Sequence, residues 1–435
     1  MRKLAYAALL SLALLFSTTN TSFAAPSLPN PTSGTSTQRH EDAELTPLRG
    51  VPSVVDSASC DDIKNDVMKL RENEKKGAFG CFSMSPEKTD TARSTITAGI
   101  PTNACKGRED GKWYANRTSQ CLIAPALDYT LWDDGKIVGT AVFAVAQEID
   151  LSVTSLTWTE TDQVALLEAT NLAQGLRVNW TTQCAGTCSS PTVEPWPMGT
   201  PITVGQTLKS TYSLSDVPTT VYDYLDQSYS LSVSQPNSTI LTSANWGGVD
   251  IRCDDSIAIT NSAGCIIPGH TPTFDMSRLL YGSSADMISW AQINLARHWG
   301  LPGSGQPLHR LQKSTEQRKN RTAICGASKF VPDPGIPDDS CDEFPFAGTY
   351  ESAALNGVDD GRNCAQTTAV NTGSSGYLPA DWATIIPIGA HSGTEACVRG
   401  HIPSSLNSDA GGGYGNFVKA ARLADGDPFW LNVVS

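Results

Sequence analysis

Two adjacent acids follow a cysteine in the stretch CDEFPFAGTYES. Asp342 and Glu343 precede an apolar knot of Phe344, Pro345, Phe346 and Ala347, and a third acid, Glu351, stands nine residues beyond the first. A carboxylate can take the proton from an attacking water, and clustered carboxylate oxygens suit a hard cation such as Mg²⁺. Taken alone, three acids near a turn also read as an ordinary capped turn on an acidic surface. A glycosidase would need carboxyls facing each other across a sugar cleft, which neighbours in sequence do not offer. Gly411–Gly413 is no phosphate loop, because no Gly-Lys-Ser/Thr follows it. The histidines are scattered, and His309 reads as a packing or hydrogen-bonding residue rather than a base.

The elements that must position these acids belong to a chain whose start has an export layout. Arg2 and Lys3, an apolar run over 4–16 and the small residues around Ala24 predict a signal peptide over 1–24. No later stretch approaches the roughly 20 apolar residues of a membrane helix, so no membrane anchor is expected. Twelve cysteines in an exported chain predict disulfides. Their spacing favours the local pairs Cys184–Cys188, Cys253–Cys265 and Cys325–Cys341, and no Cys/His set has zinc-finger spacing. The net charge of −13 disfavours a polyanionic partner for the chain as a whole. One strip departs from it: between Arg297 and Lys329 seven basic residues face a single acid, Glu316. Such a strip is either a solvated charged face or a phosphate-binding surface, with Arg310, Lys313, Arg318, Lys319 and Arg321 as the candidate DNA contacts.

Residues 25–55 are rich in Pro, Ser and Thr and read as a flexible leader. A small segment over 56–120 opens with a short helix, in which Ile63, Val67 and Leu70 share one face. The stretch 71–120 has no clear pattern. Period-two runs such as LRVNWT and YSLSVS then predict an all-β, sandwich-like module over 121–266, either a scaffold or the binder of an unknown ligand. The last domain boundary falls near 266–296. In the C-terminal part, Tyr414, Phe417, Val418 and Ala421 follow helical spacing, with Asn407 just ahead of that helix and Asn416 inside it, and DPFWLNVV reads as a closing strand. Outside the signal, glycosylation sequons stand at Asn116, Asn179, Asn237 and Asn320; a glycan on Asn320 would obstruct the basic strip.

CDEFPFAGTYES followed by SSLNSDAGGGYGN resembles the NucA/NucB family of secreted deoxyribonucleases, in its larger actinobacterial type. The resemblance rests on three blocks in order: Asp342 to Ala347, then Asn407, then Gly415-Asn416, with Glu351 after the first block and PLHRL…NRTAIC as a lead-in. It covers roughly 300–435. Serine stands at 408, where compact relatives carry arginine, and the span from Glu351 to Asn407 is longer than theirs, which reads as an inserted loop containing Cys364 and Cys397.

The resemblance implies an α+β, ββα-metal (His-Me finger-like) nuclease domain over 297–435 that hydrolyses DNA with little sequence preference. It implies Asp342 as general base, Asn407 and Asn416 at a single Mg²⁺ or Mn²⁺, and Glu343 and Glu351 orienting the site or reaching the ion through water. The competing expectation is a noncatalytic extracellular binding protein whose C-terminal domain is degenerate.

Overall fold

Long stretches of alternating burial become long strands in the computed structural model. It describes residues 45–47, 60, 79–84, 105, 107–108, 110–133, 136–171, 175–235, 241–257, 262–326, 329–370 and 384–435. The expected signal peptide, nearly all of the leader and, Cys60 apart, the short helix expected at 60–70 lie outside the described residues.

β1 (Thr46–Pro47), β2 (Phe79–Met84), β3 (Trp113–Ala115), β4 (Ser119–Asp133), β5 (Lys136–Ser152) and β6 (Ser155–Ala169) come first. β7 (Arg177–Ala185), β8 (Thr192–Pro201), β9 (Thr207–Ser215), β10 (Tyr222–Ser234), β11 (Leu241–Gly247), β12 (Ile251–Asp254) and β13 (Gly264–Ile266) follow. One antiparallel sheet has the order β1-β3-β4-β5-β6-β9, with β2 also on β4; the other has the order β13-β12-β10-β7-β8, with β11 also on β10. Leu122, Phe143 and Trp158 from the first sheet share one apolar core with Trp180, Leu231 and Trp246 from the second. The β-rich module is thus two antiparallel sheets over a common core. β2 arises from FGCFSM, inside the stretch without a readable pattern. Its partner decides it, because Phe79 to Met84 pair residue by residue with Trp132 to Leu127 of β4.

Inside this core lies a fully buried acid pair, Glu160 and Asp162, two residues apart on β6 and so on one face. Asp162 accepts from Gln147 Nε2 of β5 (3.0 Å) and from Tyr212 Oη of β9 (2.6 Å). Glu160 accepts from Gln227 Nε2 of β10 (3.1 Å), whose Oε1 in turn accepts from Tyr229 Oη. Trp246 Nε1 of β11 holds Gln147 Oε1 at 2.7 Å. These facing groups include two tyrosines and no cation. Burial therefore pushes Asp162 up to about 7, and burial followed by the charge of Asp162 pushes Glu160 well above its usual value.

A carboxyl raised in the folded state binds its proton longer than it does unfolded, so its stabilising effect is complete below about pH 4 and is lost as pH rises through 7. The melting temperature should accordingly fall between pH 5 and pH 8, and the double variant Glu160→Gln/Asp162→Asn should show a shallower fall. Parallel pH–melting curves for parent and variant would refute this.

The remainder comprises β14 (Thr273–Ser277), α1 (Arg278–Asn294), β15 (Leu308–His309), α2 (Ser314–Cys325), β16 (Asp339–Phe344), β17 (Ala365–Val370), β18 (Thr384–Pro387), β19 (Val398–Pro403), α3 (Ser404–Ala420) and β20 (Pro428–Val434). β20 is flanked by β14, in parallel, and β15, antiparallel. A second sheet has the order β16-β19-β17-β18. The span between Glu351 and Asn407, expected as an inserted loop, includes β17 and β18 of that sheet. The strand signal of β17 is weak because its inward positions are Ala365, Thr367 and Ala369, small residues with little apolar contrast.

The seam between the two parts is charged and buried. Arg422 binds Asp254 through Nε (2.9 Å) and through Nη2, and donates to the carbonyls of Val153 and Ser262. Both side chains of this ion pair are fully buried. Arg252 and Arg117 converge on Asp427 at 2.8 and 2.9 Å. The described residues from Leu45 onward accordingly form one compact unit. Six disulfides join Cys60–Cys81, Cys105–Cys121, Cys184–Cys188, Cys253–Cys265, Cys325–Cys341 and Cys364–Cys397. Among the described residues no helix is long and apolar enough to cross a membrane.

Candidate active site

β16 runs antiparallel to β19, with Asp342 opposite Gly400 and Glu343 opposite Arg399. Strand alternation sends these two acids to different faces. On one face α1 and α3 cover the sheet, and Met287, Ile288, Leu406 and Ala410 pack with Phe344, Val398 and Ile402. Asp342 points to this side, where Ser284 Oγ of α1 donates to its Oδ2 at 2.9 Å. Its Oδ1 accepts from the Glu343 backbone N, also at 2.9 Å. On the other face Ile324 of α2 packs with Ala353, Cys364 and Cys397. Glu343 points here, with Arg321 Nε at 3.8 Å from its Oε1.

Both acids are nearly buried, at 8% and 9% exposure, and that sets their chemistry. Burial pushes Asp342 up to about 6 against the pull of the Ser284 hydroxyl, the Glu343 N–H and the Arg321 charge. Burial, then the negative charge of Asp342, pushes Glu343 up to about 8. Two desolvated carboxyls with one exposed guanidinium, on the Glu343 side, leave negative charge under-compensated, the setting that favours a cation or a transferable proton. Cys325 Sγ lies 3.2 Å from Glu343 Oε2. Its sulfur is committed to the bridge with Cys341, so it has neither a proton to donate nor a thiolate to offer a metal.

Asn407 lies inside α3, which begins at Ser404 immediately after β19, rather than ahead of the helix. The glycines at 411–413 disguise the helix start, since glycine disfavours helix. At Gly413 tertiary packing decides, because a Cβ there would collide with the Tyr281 ring. Asn407 Nδ2 donates to Cys341 O (2.9 Å) and to Ser340 Oγ (3.0 Å). Its amide hydrogens thus clasp β16 just before Asp342, and its Oδ1 is the atom left to meet a cation. Asn416 is exposed on the same helix. Nine residues of α-helix amount to about 13.5 Å of rise and a half-turn of rotation, so Asn407 and Asn416 face opposite ways and do not share one ion.

Glu351 is drawn elsewhere. Its Oε2 accepts from the His309 backbone N (2.8 Å), and its Oε1 lies 2.7 Å from His309 Nδ1. Its carboxylate therefore ties β15 to the turn after the motif.

The basic strip also divides. Arg310 donates through Nη1 to Leu423 O at the seam, and burial lowers its pKa. Lys313 and Lys319 flank Glu316 on α2, at 3.3 and 3.1 Å, and both are exposed, as are Arg318 and Arg321. Asn320, on the inner side of the same helix, donates to Ala347 O and is buried, so it supports the motif and presents no glycosylation site.

Ser284 is the residue sequence reasoning missed. It sits in the presumed boundary 266–296, and a Gly-Ser-Ser run carries no catalytic signature. Compared with protein-family models, curated proteins and solved structures, the chain matches none.

Proposed function

We propose that this protein is a secreted, metal-dependent endonuclease that hydrolyses DNA phosphodiester bonds, with Asp342 as general base. One observation supports the reading: Asn407, 65 positions after Asp342 and like it singled out by the family resemblance, clasps β16 at the residue directly before Asp342. An antiparallel strand pair running straight into a helix is also the arrangement the resemblance implies.

In this reading Asp342 Oδ atoms take the proton from the attacking water. Ser284 and the Glu343 N–H hold the carboxylate still, and the surrounding apolar core keeps bulk water from competing for it. Arg321, exposed beside Glu343, offers a guanidinium to a phosphate oxygen, and Lys313, Arg318 and Lys319 extend positive charge along α2. Arg310 is spent at the seam and is not part of this surface. The donor set fits a hard divalent cation such as Mg²⁺ or Mn²⁺: Asn407 Oδ1 and the under-compensated Asp342 carboxylate, directly or through water, are all oxygen. Bound there, the ion would polarise the phosphate and stabilise the leaving oxygen.

The test is purified protein with plasmid DNA in Mg²⁺, with and without excess EDTA. Nicking and linearisation that vanish on chelation and return with Mg²⁺ or Mn²⁺ are expected. Cleavage undiminished in EDTA would remove the metal, and no cleavage under any cation would remove the nuclease.

A further inference from the structure

We infer that Ser284 is a positioning residue for the Asp342 carboxylate, delivered by a close helix–sheet approach that Gly400 permits; this rests on the catalytic role proposed above for Asp342. α1 is interrupted at Gly282, whose φ of 45° and ψ of −124° lie outside helical values. A side chain there would be strained by that φ and would bring its Cβ to 2.9 Å from Leu406 Cδ1 of α3. The helix restarts after the break, and Ser283, Ser284 and Ala285 open it fully buried.

The register of the sheet explains why Ser284 lands on Asp342. Asp342 pairs with Gly400. A Cβ at Gly400 would strike Met287 Sδ and stand 3.1 Å from Thr367 Oγ1, so only glycine lets α1 lie this close to β19. Met287 follows Ser284 by three residues, which places both on one helix face about 4.5 Å apart along the axis, near the 4.7–4.9 Å spacing of adjacent strands. With Met287 seated on Gly400 of β19, Ser284 reaches the neighbouring strand at Asp342. The hydroxyl takes one lone-pair position on Oδ2 and the Glu343 N–H takes one on Oδ1, leaving a position on each oxygen for water or a cation. The N–H comes with the strand itself. The hydroxyl comes from a segment 58 residues earlier, so the carboxylate rotamer depends on how α1 docks.

A double-mutant cycle on the full chain tests this, using Ser284→Ala, Asp342→Asn and the pair, with kcat and KM on DNA in Mg²⁺ and urea unfolding midpoints for all four proteins. Ser284→Ala should lower kcat by about 10- to 100-fold, the scale of one hydrogen bond to a charged group, with KM little changed. The double variant should be no slower than Asp342→Asn alone, and Ser284→Thr, which restores the hydroxyl, should recover part of kcat. Parent-like kcat in Ser284→Ala, or losses that multiply in the double variant, would overturn the role. Should the parent protein cleave no DNA, the proposed function fails by itself, and the unfolding data decide the contact: non-additive midpoint shifts support the pairing, and additive shifts refute it.

Discussion

With Mg²⁺ and plasmid DNA, the Asp342→Asn protein is expected to turn over about 10²–10⁴-fold more slowly than its parent, the range of a lost general base. The substitution preserves size. Its amide oxygen can still accept from the Glu343 N–H, and its NH₂ can donate to the Ser284 hydroxyl. Stability should move the other way. Because burial holds the Asp342 carboxyl up to about 6, above its unfolded value, ionising it at higher pH costs the folded protein stability, and a neutral amide removes that penalty. The melting temperature at pH 7.5 should therefore be equal to or above the parent's while activity collapses. A purely structural Asp342 would show the reverse, with activity kept or lost only in step with melting. DNA affinity should change little, because exposed cations on α2 supply the phosphate contacts. Parent-rate cleavage by Asp342→Asn would end the catalytic assignment.

The largest stability effect is expected at the seam. Arg422→Met removes the cation from a fully buried pair and, among the described residues, leaves the Asp254 carboxylate hydrogen-bonded to the Ser256 and Ile257 N–H groups. It also strips donors from the carbonyls of Val153 and Ser262. Leaving a buried charge without its partner costs about 3–5 kcal/mol, a large share of the stability of any ordinary fold. Urea unfolding followed by intrinsic tryptophan fluorescence would report it as a lower midpoint. Since Arg422 directly follows α3 and its cap, the loss should reach the helix that carries Asn407. A change below about 1 kcal/mol would show that water or a neighbouring group replaces the guanidinium, and that the seam is weaker than its burial indicates.

Several features were legible before any coordinates. Period-two stretches such as YSLSVS became β10 because alternation exposes one face of a sheet and buries the other, and this pattern survives whatever the sheet packs against. The spacing of Tyr414, Phe417, Val418 and Ala421 became the inward face of α3 and its cap for the equivalent helical reason. The short-range cysteine pairs formed because chain connectivity alone keeps such residues near each other. The acidic motif was visible as an oddity of composition, two acids beside a knot of aromatics.

What the residues alone could not supply was direction and partnership. Asp342 and Glu343 look like one pair in sequence, yet strand alternation gives them to opposite faces and different helices. Arg310 and Arg321 look alike in a basic strip, yet one closes a seam through Leu423 O and the other stands exposed beside Glu343. Asn407 and Asn416 look like two ligands of one ion until helix geometry turns them apart. Ser284 carries no mark at all, because its role depends on a glycine 116 positions later that lets a helix approach a strand. Local propensity and periodicity are written into neighbouring residues, so sequence determined strands with clear alternation such as β10, the helix α3 and the acid-rich motif, whereas β2, β17 and β18 were decided by their partners. The contacts that give each acid its charge state join residues tens to hundreds of positions apart, and only the packed tertiary structure decides those.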